Sequence, residues 1–428
     1  MFQKASEAHH LFDAATCEEF ADTLYEIGRD LASRKEYDMA TKWLERALDV
    51  LSEQDLEHLS DDANELKMIT MHLLIKSLLA METAESKKKA HELVGLMDTY
   101  YGDKMVVSLL KLEILSSEQC PDAEAYFNIL FRMIRSIVLT QDNFKTLLHY
   151  LHKLRQLNSK LACRALDELL SLRLLESRQE EWIQLATIMR IWINTSHTEK
   201  VGPITEIKDR LDQIFRSMKK PFDASAAHAA QTLLWKFIET SFEADQHEVA
   251  RSGCSLALHP LFENGGDANR SKICRKALLC ALAEQKFAEA REAFFSMPES
   301  GQSAPESQYL MYKLALRSTD TDLATSSLEK LCKISDKDAT LLYACVQDAI
   351  QTGDKSQAVI ALRTLLKKFE NQQPAGVHFP ALLRCSIVLV KSEIKNQKDI
   401  PDVHMSELCK MFEAGELSHL VVSLCSID

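Results

Sequence analysis

Glycine and proline are scarce, 11 and 9 among 428 residues, against the ~12% these two contribute in an average soluble protein. Few positions can therefore break a helix, and helical stretches joined by short turns are expected. Basic excess is missing too: 51 Lys and Arg face 63 Asp and Glu, a formal charge of −12. That balance excludes a broad phosphate-binding surface, because duplex binding at ordinary salt rests on many Lys and Arg contacts. Long apolar runs are absent as well. No run approaches the ~18 residues needed to cross a bilayer, and one of the longest, Leu420 to Cys425, is broken by Ser423.

The signatures of chemistry are equally thin. Gly265-Gly266 is the only adjacent glycine pair, lies in a polar stretch and reads as a turn rather than a phosphate loop. The eleven cysteines are odd in number and lack Cys-x-x-Cys spacing, which points to a reducing compartment, cytosol or nucleus. A zinc site needs four converging ligands; His149 and His152 with Cys163 further on are the nearest approach and read as helix residues. Cys274 and Cys280, six apart, fall on different helix faces and read as buried thiols. No Ser, Cys or Asp sits in a recognisable nucleophile motif. The expectation is therefore no enzyme, no cofactor, no metal and no small-molecule substrate. The acidic pairs Asp61-Asp62 and Glu180-Glu181 read as helix starts, where negative charge offsets the helix dipole.

What is present is helical periodicity. Apolar residues make up 46% and charged residues 27% of the chain, enough for an apolar stripe and a solvated face on every helix. Between Ala21 and Leu51 two periodic stretches flank the turn Ala32-Ser33-Arg34-Lys35-Glu36. Leu24, Ile27 and Leu31 form the stripe of the first; Tyr37, Ala40, Leu44, Ala47 and Leu51 form that of the second. Gly28, Ala40 and Ala47 stand where two helices must touch, and Tyr37 wedges the pair after the turn, the grammar of a tetratricopeptide unit. Trp43, beside Leu44, is expected to pack on the following pair. The same grammar returns in "KALLCALAEQKFAEAREAFFSM" and "LLYACVQDAIQTGDKSQAVIALRTLL". Between these matches periodicity persists while consensus residues thin out, at Leu66 to Met81, Ala90 to Met97, Val106 to Leu115 and Phe127 to Leu139.

The reading is all-α: a tetratricopeptide-like helical-hairpin solenoid, a right-handed superhelix of about ten pairs, each of ~35–45 residues. "INTSHTEKVGPITE", "FENGGDANRS", "PESGQSAPES" and "NQQPAGVHFP" read as loops inside one solenoid. The closing "ELSHLVVSLCSID" shows no polar capping helix, so a shortened chain is expected. Two surface readings follow. No acidic residue lies between Asp142 and Asp167, where Lys145, Lys153, Arg155, Lys160 and Arg164 accompany His149 and His152. This basic strip is either a dock for an acidic partner or a phosphate backbone, or one solvated helical face. Tyr25 and Arg29 occupy the positions at which chaperone-binding tetratricopeptide clamps carry Lys and Asn, which disfavours a chaperone-tail adaptor.

"LYEIGRDLASRKEYDMATKWLERALDVLSE", Leu24 to Glu53, resembles the opening of the meiosis-specific Zip-four/Spo-twenty-two domain, with its Ile-Gly pair and Lys-Trp-Leu-Glu-Arg-Ala run. "ELKMITMHLLIKSLL", "KKKAHELVGLMDTYYGDKMVVSLLKLEIL", "FRMIRSIVLTQDNFKTLLHYLHKL" and "EEWIQLATIMRIWIN" follow in the family's order. The resemblance divides the chain into an N-terminal segment 1–16, a family-type solenoid 17–300 and degenerate helices 301–428. It implies a nuclear, chromosome-associated scaffold of the ZMM group that promotes crossover formation and synaptonemal complex assembly. The implied partners are meiotic recombination, chromosome-axis and synaptonemal complex proteins, with no sequence-specific nucleic acid and no membrane. Most of the family's extended terminal repeats are missing from the sequence, so partner sites in those parts do not carry over. The residues alone leave a second reading open, a scaffold subunit of a vegetative nuclear or cytosolic complex of cohesin-loading or ubiquitin-ligase type.

Overall fold

A computed structural model describes residues 14–52, 60–102, 104–117, 121–177, 179–196, 204–334 and 339–368, together with Val388. "NQQPAGVHFP" and the closing segment lie outside the described residues. Helices and turns make up the described chain, with no strand among those residues. The fold is all-helical and tetratricopeptide-like. It divides into two compact units, Met1–Gly202 and Pro203–Asp428. The division falls within the stretch read above as an internal loop, whereas packing continues without a break across residue 300.

In the first unit, α1 (Ala14–Ser33) and α2 (Tyr37–Ser52) form a hairpin. Next come α3 (Asp61–Ala80) with α4 (Ala84–Tyr101), and α5 (Met105–Ser117) with α6 (Ala123–Ser136). The unit continues with α7 (Gln141–Leu157), α8 (Ser159–Leu169) and α9 (Glu180–Thr195). Helix α1 begins inside the segment 1–16 expected to precede the repeats. Each core cluster draws on neighbouring elements: one joins α1, α2 and α3 through Cys17, Ala21, Leu24, Ala47, Leu51 and Leu66. The next joins α2 to α5 through Leu44, Leu74, Ile75, Ala90, Met97 and Leu110. This nearest-neighbour burial is what a repeat stack requires.

Side-chain caps set the starts of five helices between α3 and α8. Ser60 Oγ accepts from the Ala63 N–H (3.1 Å), while the Ser60 N–H and hydroxyl donate to Glu18 of α1 at 2.9 and 2.8 Å. Thr83, Asp122, Thr140 and Asn158 cap α4, α6, α7 and α8 in the same manner. Each cap satisfies donors that a helix leaves unpaired. Asp61-Asp62 and Glu180-Glu181 stand in the first turns of α3 and α9.

In the second unit α10 (Ile204–Met218) packs against the first of four helix pairs. These are α11 (Ala224–Glu243) with α12 (His247–Ala257), α13 (Asp267–Ala283) with α14 (Phe287–Phe295), α15 (Pro305–Arg317) with α16 (Thr321–Ile334), and α17 (Thr340–Thr352) with α18 (Lys355–Lys368). Their turns are nearly identical. Asp245, Gln285 and Thr319 take left-handed backbone with φ of 56°, 60° and 57°. The next residue's N–H closes back five residues, from Gln246 to Ser241, Lys286 to Ala281 and Asp320 to Ala315 at 2.9–3.0 Å. Lys35 (φ 65°) and the Glu36 to Leu31 bond repeat the geometry between α1 and α2. Gly353 (φ 78°) holds the matching place between α17 and α18. Gln285, Thr319 and Gly353 are 34 residues apart, the tetratricopeptide period.

Candidate functional site

In the first hairpin the buried stripe of α1 runs through Cys17, Ala21, Leu24 and Gly28, facing Ala40, Leu44 and Ala47, each 0% exposed. Gly28 is where the two helices come closest: a Cβ added there would lie 2.7 Å from Leu44 Cγ and Cδ2. Leu31, Tyr37 and Trp43 are half-buried. Trp43 borders the cluster of α1, α2 and α3, with the Arg46 guanidinium 5.5 Å from its ring centre. Ile27 departs from the expected stripe and is 37% exposed. The packed row follows spacings of four and three residues from Cys17 to Gly28, which leaves Ile27 a full ~100° off its axis. Arg29 lies 5.9 Å from the Tyr25 ring centre and pairs with Glu26.

The basic strip spans two helices, α7 and α8. Lys145 is exposed on α7, and Lys153 leans on the Tyr150 ring at 5.1 Å. Arg155 is turned inward, its guanidinium 3.7 Å from the Trp192 ring centre on α9. On α8, Lys160 and Arg164 are both exposed, and Arg164 lies 5.0 Å from the Phe127 ring centre on α6. Two of the five cations thus reach rings on other helices, half-buried Arg155 and exposed Arg164, where a cation–π contact contributes ~0.5–1 kcal/mol at an exposed site and more as water is excluded. His152 stacks on Trp192 at 5.4 Å and His149 meets Tyr150 edge-on at 5.3 Å, while Cys163 is buried on α8. Among the described residues no group of three or more His, Cys, Asp or Glu is placed to hold a metal ion. No helix among them is long and apolar enough to cross a membrane.

Gly265-Gly266 is a turn: it closes a 3-10 segment, Pro260–Gly265, and Gly266 adopts φ 91° ahead of α13. Gly265 also makes room for the buried Gln231, whose amide donates to the carbonyls of Ala257 and Phe262. Cys274 and Cys280 are both buried, and burial pushes the Cys274 thiol up.

Periodicity gives no sign of three further fixings. Arg190 of α9 reaches Asp167 of α8 through two contacts, Nε to Oδ1 at 3.0 Å and Nη2 to Oδ2 at 3.4 Å, with side chains only 6% and 15% exposed. After α8 the chain widens into a π turn, Leu170–Leu174, before one last α turn, Leu175–Ser177. There Arg173 donates to the carbonyls of Ile134, Arg135 and Ile137 at 2.7–3.0 Å, satisfying the end of α6. In the second unit Lys272 and Lys276 of α13 stand 4.1 and 5.6 Å from the Trp235 ring centre on α11.

Antiparallel hairpins stacked by nearest-neighbour burial, their side chains joining one helix to the next, define the class: a helical-repeat protein of the tetratricopeptide type. More narrowly, the chain belongs to the family described as "Meiosis protein SPO22/ZIP4 like", whose model matches residues 1–259. No curated protein matches the chain individually. Among solved structures it is similar to yeast Tom70, 12% identical, with 95% of this chain and 97% of that one covered at a TM-score of 0.27. It is similar also to the APC/C hetero-tetramer Cut9-Hcn1, at 14% identity, 94% and 75% coverage and a TM-score of 0.26. The P58(IPK) TPR domain follows at 11% identity, 89% and 99% coverage and a TM-score of 0.23. Likeness this slight adds nothing to the helix arrangement described above.

Proposed function

We propose that this chain is a non-enzymatic scaffold of the meiotic nucleus, acting on chromosomes to promote crossover formation and synaptonemal complex assembly between homologues. The observation that carries the reading is the family match over residues 1–259. The stacked hairpins supply a physical means. Helices packed in series hold surface side chains at fixed separations, so two partners bound to one stack meet at an effective concentration set by geometry rather than by either contact alone. The partners in this reading are recombination proteins and components of the chromosome axis and synaptonemal complex. They dock on protein surfaces, without a cofactor, a sequence-specific DNA contact or a membrane.

The test is genetic and cytological. Loss of the protein in meiotic cells is expected to lower chiasma counts and leave homologues incompletely synapsed, and the tagged protein is expected in foci on meiotic chromosomes. Normal chiasma counts and full synapsis in cells lacking it would reject the reading. Expression confined to vegetative cells would reject it in favour of the vegetative scaffold.

A further inference from the structure

In the second unit the charges near the hairpin turns are internally compensated. Arg251 pairs with Glu284 (3.1 Å) and Glu289 (2.5 Å), Lys286 with Glu284 (2.7 Å), and Arg291 with Asp320 (2.8 Å). The seam between α11 and α13 is different. Lys276 is held by Glu239 at 3.1 Å and lies 4.3 Å from the Phe242 ring centre. Lys272, exposed, has its ammonium 4.1 Å from the Trp235 ring centre and no carboxylate at ion-pair distance among the described residues. Arg275, one turn on, spends a donor on the Ser307 hydroxyl at 3.3 Å and likewise meets no carboxylate among those residues. A half-buried indole with one uncompensated cation, Lys272, on its ring and a second, Arg275, one turn away on the same helix, in a chain of net charge −12, has an unfilled preference for negative charge beside an apolar group.

We propose that this seam, centred on Trp235 and Lys272, docks an acidic peptide segment of a partner protein, one that alternates carboxylates with apolar side chains. A carboxylate would take Lys272, and an apolar neighbour would cover the open part of the Trp235 ring. Nucleic acid fits less well, because Glu239 lies in the same seam, 3.1 Å from Lys276. A fixed carboxylate beside the lysines repels a phosphate backbone, which presents negative charge at every step. The inference rests on the scaffold reading but not on the meiotic one, which is judged separately by chiasma counts.

The experiment uses the full chain and three fluorescein-labelled probes: a short peptide of Glu-Gly-Leu repeats, its Lys-Gly-Leu counterpart and a single-stranded oligonucleotide. Anisotropy titrations are expected to show the acidic peptide binding, the basic peptide not, and added salt weakening the former. Lys272→Glu, on an exposed site, is expected to weaken the acidic peptide about fivefold or more, while Lys272→Arg keeps it within about twofold. Circular dichroism melts confirm that both variants fold. The comparison of acidic and basic peptides on the unaltered chain needs no variant at all. Equal binding of the two peptides, preference for the oligonucleotide, or unchanged affinity in folded Lys272→Glu would each overturn the proposal.

Discussion

The helices from α3 to α9 and those from α11 to α18 form similar stacks by different means. In the later stretch the backbone does the work: a left-handed residue and a bond reaching back five residues recur at Asp245, Gln285 and Thr319, and Ala250, Ala281, Ala290, Ala315, Ala324, Ala349 and Ala358 are buried at the contacts. In the earlier stretch Glu82 alone among the described non-glycine residues takes left-handed backbone (φ 54°), without the bond reaching back five residues, and side chains take over. Thr83, Asp122, Thr140 and Asn158 cap the helices, Arg173 closes the end of α6, and Phe144 stacks on Trp182 at 4.9 Å. The consensus fades where specific side chains replace a repeated turn. A repeat can therefore lose its signature and keep its packing, provided each lost backbone element is met by a particular polar or aromatic group.

Mutation is expected to cost most at the buried pair between α8 and α9. Asp167→Ala leaves Arg190, 6% exposed, without its carboxylate, and a buried charge stripped of its partner costs ~3–5 kcal/mol. Urea denaturation followed by circular dichroism is expected to show that loss. The double variant Asp167→Leu with Arg190→Met is expected to recover most of it, because a well-packed apolar pair avoids the desolvation cost. If the single variant melts normally, the pair is not what holds α9 in place. Gly28→Leu attacks the consensus side of the comparison. With Leu44 already 2.7 Å from the position of an added Cβ, the larger side chain forces α1 and α2 apart at a cost of ~1–3 kcal/mol. An unshifted melting temperature would place the close approach elsewhere.

The first hairpin and the all-helical class were legible because they depend on residue size and spacing within single helices. Gly28, Ala40 and Ala47 declare a close contact through size alone. Ile27 misled for the same reason: the Leu24, Ile27 and Leu31 spacing is helical, but the true row passes through Cys17 and Ala21, where small residues give little hydrophobic signal. The ring contacts within the basic strip were not legible because sequence proximity fixes angles around one axis, whereas Arg155 and Arg164 meet Trp192 and Phe127 on other helices. Asp167 and Arg190 are 23 residues apart, and Trp235 and Lys272 farther still. No local periodicity marks such pairs. The left-handed turns at Lys35, Asp245, Gln285 and Thr319 were likewise silent, since none uses the glycine that ordinarily announces one.

The turns themselves respond on a smaller scale. Gly353 has φ 78°, so Gly353→Ala imposes a side chain on left-handed backbone at ~1 kcal/mol. Gln285 already bears that strain at φ 60°. Gln285→Gly relieves it but gives the unfolded chain more freedom, so the net gain is expected to be only ~0.5 kcal/mol. Thermal melts of the two variants should move in opposite directions. Movement in the same direction would mean that the equivalent turns are not under equivalent strain.

The smallest effect concerns acid. Asp98 of α4 is held below the usual carboxylate range by the hydrogen bond from Lys111 of α5 at 2.6 Å, with Arg132 of α6 adding a weaker contact at 3.4 Å. A depressed folded-state value means that the unfolded chain takes up the proton first. The node therefore contributes stability above the ordinary carboxylate value near pH 4, and that contribution is lost as pH falls through the lower folded value. Asp98 is about one-third exposed, at 34%, so solvent screening limits the contribution to a few tenths of a kcal/mol. Asp98→Asn is expected to flatten the fall in stability between about pH 5 and pH 3 while leaving its shape at neutral pH unaltered. A steeper fall in the variant would reverse the sign assigned to this node. It would also remove α4, α5 and α6 from the stretch in which side chains stand in for the repeated turn.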